Sequence, residues 1–439
     1  MTDRVDEPAW GATRALGRAT TLVTILVLFG VVLGRPDLVL MAVPFALGAA
    51  WALRRRPDEV PGVELVLPGE PAAEGATVQI PLRLSNTSSA AYDVVVTRLS
   101  HSPWLRIQHG DRPYGIGLPA GEAAEVVLAG PALRWGVHGV GPAEAYAVAC
   151  DGLLLSTLVE TGGADVRVHP VPEPFRAQET MPRSAMLVGV HRSRRTGEGG
   201  ELAGVRPYGP GDRLRRVDWR VTLRTRELHV AQTLSDRDAA VVVLLDVLHE
   251  AGRSQGIHGS ASVLDRTVRS AAAIAEHYLR QGDRVALVEY SGSPRYLRAA
   301  SGRRQLQAVL EWLLHVRARV RASETPAFGI DPHLIPSSAL VVVLTPLLAP
   351  QSAEMVATLS RAGRVVVAVD TLGNLADLSV DETQWTVLAR RLWQLDRANT
   401  IGQLREAGVP VTPWVGPGSL DEVLRDMARL ASAPRLAVR

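Results

Sequence analysis

The chain contains no lysine: all 48 of its basic residues, across 439 positions, are arginine. A Walker A loop sets a lysine on the β/γ-phosphates, and Schiff-base chemistry requires a lysine amine, so both are excluded. Cys150 is the single cysteine, which rules out a disulfide framework within one chain and a multi-cysteine zinc site. The formal net charge is only +3, too small to imply a general attraction to nucleic acid, and no nucleic-acid partner is expected. Apolar residues are not scarce. They make up 46% of the chain, enough for sizeable cores in two or three domains of about 100–200 residues each.

Two long apolar runs open the sequence, Ala19 to Gly34 and Leu38 to Leu53. At ~1.5 Å per residue each helix approaches the ~30 Å of a hydrocarbon core, and flanking Arg18, Arg35 and Arg54 extend it by snorkelling. Arg35-Pro36-Asp37 is a polar turn, so the pair predicts a transmembrane helical hairpin over 19–56. Arg4, Arg14 and Arg18 precede it and Arg54-Arg55-Arg56 follow it. By the positive-inside rule both flanks, including the N-terminus 1–18 and the bulk of the chain, face the cytoplasm. A cleaved signal peptide is the competing reading, opposed by the second apolar run and its three-arginine stop.

Over 57–171 the texture changes to short alternating runs such as Thr77–Leu84, Tyr92–Leu99 and Glu125–Leu128, broken by Gly, Pro, Asn and Ser. That spacing predicts a small β-sandwich. Residues 172–238 form an arginine-dense connector. From residue 239 continuous β-branched runs (Ala239–Asp246, Ala339–Leu344, Arg364–Asp370) and the strand Arg284–Tyr290 alternate with helical patterns over Ser262–Gln281 and Gln305–Arg317. Buried runs of this kind predict a parallel α/β sheet over 239–370. Val409–Trp414 reads as an edge strand within a C-terminal helical extension, 371–439, whose helices span Asp381–Ala407 and about Leu420–Leu430.

The connector holds the densest pattern, Gly200-Glu-Leu-Ala-Gly-Val-Arg-Pro-Tyr-Gly-Pro-Gly-Asp-Arg-Leu-Arg-Arg-Val-Asp-Trp219. Pro210 and Gly211 suit the centre of a type II turn, proline presetting φ and glycine accepting the positive φ after it. Asp212, Arg215 and Asp218 recur every third residue, so one helical turn would align carboxylate, guanidinium and carboxylate. Trp219 would bury beside them. This pattern, with Tyr208 inside it and Thr222-Leu-Arg224 and Glu227–Val230 after it, resembles the signature of the domain of unknown function 58 family. The resemblance implies a membrane-anchored protein with a von Willebrand factor A-like α/β domain at 239–370. It also implies a MoxR-type AAA+ ATPase as partner, acting on a client the sequence does not name. Tyr208, Pro210, Gly211, Asp212, Arg215, Asp218, Trp219 and Arg224 are the signature positions, with structural roles.

Asp246 ends the first α/β strand, where von Willebrand A-like domains carry an Asp-x-Ser-x-Ser metal motif. Here Leu248 and Glu250 replace the two serines, and Thr345-Pro346 ends the strand where a further acidic ligand is expected. Mg²⁺ demands several hard oxygen ligands, so Asp246 is a degenerate position and no metal site, cofactor or catalytic residue is assigned. His191, His249 and His258 lack the spacing of a zincin or triad, and Cys150 reads as a small buried hydrophobe. Gly197–Gly200 and Gly209–Gly211 read as turns. The arginines of 192–226 are interleaved with Glu198, Glu201, Asp212 and Asp218, which favours a salt-bridged surface. The expectation is therefore a non-enzymatic, membrane-anchored interaction or assembly factor. Its rivals are a metal-dependent ligand-binding module and a membrane-associated hydrolase.

Overall fold

The computed structural model describes residues 9–67, 69–110, 112–171, 196–209, 212, 214, 217–234, 240–318, 335–336, 339–372 and 384–414. Two compact units divide the chain, Met1–His169 and Pro170–Arg439.

In the first unit, strand β1 (Trp10–Ala12) precedes helices α1 (Arg14–Val32) and α2 (Pro36–Leu53). Both helices are long and apolar enough to cross a membrane. Leu28, Phe29, Val31, Val32, Leu40, Met41, Leu47 and Trp51 are each more than half exposed, so neither is the core helix of a globular fold. Thr13 caps α1, its hydroxyl accepting from Leu16 N at 3.4 Å. Pro36 opens α2, where a missing N–H costs nothing. The helices touch at Gly30, where a Cβ would stand 2.6 Å from Val39 Cγ2. The first helix starts at Arg14, earlier than the apolar run, because Thr13 and Leu16 continue it onto the β-structure that follows.

That structure comprises β2 (Gly62–Leu65), β3 (Ala72–Ala73), β4 (Thr77–Ser85), β5 (Tyr92–His101), β6 (Tyr114–Leu118), β7 (Ala123–Pro131), β8 (Gly136–Ala149), β9 (Leu154–Ser156), β10 (Val159–Glu160) and β11 (Ala164–His169). Strands β2-β4-β7 make one sheet, and the other eight, β1 included, make the second. Both sheets send alternate side chains into one core, Val78, Ile80, Leu82 and Leu84 from β4 facing Val95, Leu99, Ala143, Ala145 and Ala147. The alternation read in the sequence is this two-faced burial. Gly130 lets the loop at Arg106 press against β7, since a Cβ there would lie 2.0 Å from the Arg106 carbonyl oxygen.

The second unit begins with a hairpin, β12 (Thr196–Pro207) and β13 (His229–Leu234), enclosing the short helix α3 (Trp219–Thr225). A six-stranded sheet follows: β14 (Ala240–Asp246), β15 (Arg284–Tyr290), β16 (Tyr296–Ala300), β17 (Leu340–Thr345), β18 (Val365–Asp370) and β19 (Val411–Pro413). Its order is β16-β15-β14-β17-β18-β19, parallel except for antiparallel β16 at one edge. Every residue of β14 and β17 is buried, as expected of parallel strands covered on both faces. Helices α4 (Val263–Arg280), α5 (Arg303–Leu313), α6 (Pro350–Arg361) and α7 (Gln384–Glu406) complete the unit. Ser262 and Asp265 close a capping box at the start of α4.

The segment 371–439, set apart in the sequence as an extension, supplies α7 and β19 of this same sheet. Leu404, Val409 and Val411 lie in the sheet's own core. The anticipated helix near Leu420–Leu430 lies outside the described residues.

Candidate functional site

Two places gather the residues singled out by sequence. The first is the signature hairpin. Asp212 is its hub, accepting from Arg206 Nη1 and Nη2 at 2.7 and 2.6 Å and from Gly209 N at 2.9 Å. This fork-to-fork pair raises the Arg206 pKa further, the side-chain hydrogen bond to Asp212 being the main cause. Tyr208 donates its hydroxyl to the Asp212 carbonyl at 2.9 Å, and Asp212 N returns to Gly209 O at 3.2 Å. Pro210 and Gly211, between those last two atoms, lie outside the described residues, as does Arg215.

Asp212 and Asp218, the two carboxylates of the expected ladder, each have a partner beyond it. Asp212 pairs backward to Arg206, and Asp218 is the N-cap of α3, accepting from Arg220 N and Val221 N at 3.0 and 3.1 Å. A carboxylate at that position satisfies amides that have no partner within the helix. Trp219 departs from expectation, being 61% exposed. The helix begins at Trp219 and turns its ring outward, while neighbouring Val217 and Val230 fill the space beneath at 8% and 2% exposure. Leu214 and Leu223 are exposed too, at 66% and 78%. Arg220 and Arg224 stand exposed on α3 beside them. The signature thus folds into a braced platform whose outward surface is apolar and basic.

The second place is the C-terminal rim of the sheet. Strands β14 and β17 are adjacent there, and chain connections leave them in opposite directions along the sheet, β15 to one side and β18 to the other. Open α/β sheets bind ligands at such a switch point. Asp246 ends β14 and Thr345 ends β17. The Thr345 hydroxyl donates to Asp246 Oδ2 at 2.6 Å, and Leu248 N donates to Oδ1 at 3.2 Å. Asp246 is 2% exposed, and burial pushes its pKa above the ordinary carboxylate value, against the lowering by these hydrogen bonds. Leu248 packs in the hydrophobic core. Tyr290, ending β15, has its pKa pushed up to about 12, chiefly by burial and then by the charge of Asp246.

Beside this pair, Asp370 at the end of β18 meets Arg397 of α7 at 2.5 Å, with side-chain exposures of 16% and 9%. Arg397 Nη1 also donates to Leu347 O at 3.0 Å and to Pro346 O, tying α7 over the β17 loop. On the other side, Arg295 donates to buried Glu289 at 2.6 Å and lies 4.4 Å from the Trp312 ring centroid. None of Arg397, Asp370, Glu289 or Arg295 stood out in the sequence. Arg397 is about fifty positions from the loop it binds and sits on a helix with many arginines, so only the fold selects it. Among the described residues no three Asp, Glu, His or Cys side chains are grouped to hold a metal. His249 and His258 are exposed, and Cys150 is buried with its thiol pKa raised by desolvation.

Residues 204–379 match the family described as protein of unknown function DUF58. The DUF58 match thus covers part of the hairpin, α3 and the sheet through β18. Uncharacterized proteins of Mycobacterium bovis and Mycobacterium tuberculosis are 29% identical over 266 residues, 58% of this chain and 74% of theirs. Among solved structures, native alpha-2-macroglobulin of Escherichia coli is similar over 25% of this chain and 17% of its own, with 19% identity and a TM-score of 0.21. The chain therefore spans less than a fifth of that protein's crystallised length. A CARDB domain from Pyrococcus furiosus is similar over 26% of this chain and 93% of its own, with 14% identity and a TM-score of 0.18.

Proposed function

We propose that the protein is a membrane-anchored interaction or assembly factor working with a MoxR-type AAA+ ATPase on a client protein. The observation that carries this reading is the DUF58 signature platform: Trp219 and Leu223 are exposed together with Arg220 and Arg224 on a helix fixed by its Asp218 cap and by the bond from His229 N to the Thr222 hydroxyl, and Leu214 is exposed before it. Exposed aromatic and arginine side chains on a rigid support are the usual energetic centres of protein interfaces. An ATPase partner would supply nucleotide hydrolysis, for which this lysine-free chain has no Walker lysine. The anchor reading is supported by the exposed apolar hairpin. Strand β1 before it hydrogen-bonds to β9 after it, so both ends of the hairpin occupy one side of any bilayer it enters. The flanking arginines favour the cytoplasmic side. A photo-crosslinking residue at Trp219, in cells, should trap an AAA+ ATPase. Trapping only lipid, or other proteins but no ATPase, would overturn the partnership.

A metal-dependent von Willebrand A-type module is the second reading. It is favoured by the strand order, the antiparallel edge strand and the meeting of Asp246 with Thr345 at the switch point. Against it, both Asp246 oxygens already accept protein donors, Asp370 is committed to Arg397, and Leu248 offers no oxygen. Mg²⁺ requires near-octahedral oxygen coordination. Thermal unfolding with millimolar Mg²⁺ or with EDTA should coincide. A metal-dependent stabilisation abolished by Asp246→Ala would promote the second reading.

A further inference from the structure

Helix α7 carries two apolar faces and the fold uses one. Arg397, Ile401 and Leu404 turn toward the sheet, Leu404 being 3% exposed and Ile401 packed on the core. On the opposite side Trp385, Leu388, Leu392 and Leu395 are 80%, 52%, 69% and 64% exposed. Their spacing of three, four and three residues is that of alternating a and d positions in a heptad, a seam about 15 Å long at ~1.5 Å per residue. A row of four large exposed side chains, unlike scattered surface leucines, marks a contact surface.

We propose that this seam pairs with the same seam of a second copy, forming a short parallel two-stranded coiled coil. The charges flanking the seam select both occupant and direction. With Trp385 and Leu392 at a and Leu388 and Leu395 at d, Arg391 is a g position and Asp396 is the e position of the next heptad. In a parallel pair each g residue faces the partner's following e residue. Arg391 of each copy then meets Asp396 of the other, giving two symmetric ion pairs. Both residues are exposed, and neither meets an ion-pair partner among the described residues. An antiparallel pair loses that match, because it sets g positions beside g positions and e beside e, bringing Arg391 of one copy toward Arg391 of the other. A bilayer surface could take up the apolar row but would leave Asp396 facing anionic headgroups, and a segment of the same chain would not need the two-fold charge match.

The seam is tested by cysteine cross-linking of the full chain in native membranes. The natural Cys150 is buried and does not compete. Leu388→Cys and Leu395→Cys should each give a disulfide-linked homodimer on oxidation, while Gln394→Cys, on the outer face, should not. Arg391→Asp should lower the cross-linked fraction of the Leu388→Cys protein severalfold, and adding Asp396→Arg should restore it. All of these positions are exposed, so the variants should fold. Absence of homodimer from both seam variants would overturn the proposal. So would cross-linking that requires Leu388→Cys opposite Leu392→Cys, the antiparallel outcome, or a charge reversal without effect.

Discussion

Trp10 and Tyr92 donate to the same acceptor, the main-chain carbonyl of Glu59, at 3.2 and 3.0 Å. Their rings lie 5.7 Å apart. Trp10 precedes the apolar hairpin, Glu59 follows it, and Tyr92 belongs to the sandwich, so one cluster fastens both ends of the hairpin to a folded domain. Trp10→Ala should remove about 3–5 kcal/mol from the first unit, the usual cost of truncating a buried tryptophan. Tyr92→Phe, which loses only the hydrogen bond, should cost about 1 kcal/mol. Limited proteolysis near Thr13 and denaturant midpoints of the two variants would show the order. Equal, small effects would mean the cluster is incidental.

Trp219→Ala should behave in the opposite way. With its ring exposed and Val217 and Val230 supplying the burial beneath, the change should move stability by no more than about 0.5 kcal/mol. Binding of the proposed ATPase should fall instead. A large drop in melting temperature would show that the ring is buried in the working protein.

The Arg397–Asp370 pair is largely buried, and removing one member of a buried pair strands the other. Arg397→Ala should cost about 3–5 kcal/mol and free the N-terminal part of α7. Amide exchange should rise in α7 and in the loop after β17, where Pro346 and Leu347 lose their donor, while the sandwich is unaffected. Unchanged exchange in that loop would remove Arg397 as its tether.

Asp246 gives a pH signature. Its folded pKa is raised above the ordinary 3.8 by burial, so the folded state holds its proton more tightly than the unfolded chain does. The associated stability is fully present below 3.8 and is lost as pH rises through the folded value. Asp246→Asn does not titrate, so wild type should lose ground to the variant as pH rises from 3.8 through the folded value. Unfolding midpoints at both ends would measure it, and a constant gap would refute the assignment.

The α/β unit was legible because parallel strands buried on both faces leave continuous apolar runs. Arg284–Tyr290 was found with its observed limits, and Leu340–Thr345 within one residue. Strand β16 was missed: it is short, lies at an edge and shows no buried face to mark it. The signature was legible only in part. The three-residue recurrence of Asp212, Arg215 and Asp218 gives no sign of Arg206, which pairs with Asp212, or of the capping role of Asp218 at the start of α3. The pattern predicts Trp219 buried beside these residues, yet Val217 and Val230, of smaller volume, already fill the space beneath it. The rim pairs were silent because each joins residues distant in sequence, and an arginine's partner is chosen by topology.

The bond from the Thr13 hydroxyl to the Gly152 carbonyl closes a gap of 139 positions. On the ribosome, at ~5–20 residues per second, the partner of strand β1 is made roughly 7–28 s after the strand itself. The hairpin leaves the exit tunnel well before the sandwich is complete. During that interval the three-residue strand β1 has no sheet to join. Biogenesis therefore runs in a fixed order, the apolar helices first and the latch last, and a nascent chain stalled before residue 152 would carry the helical hairpin with its N-terminal end still loose.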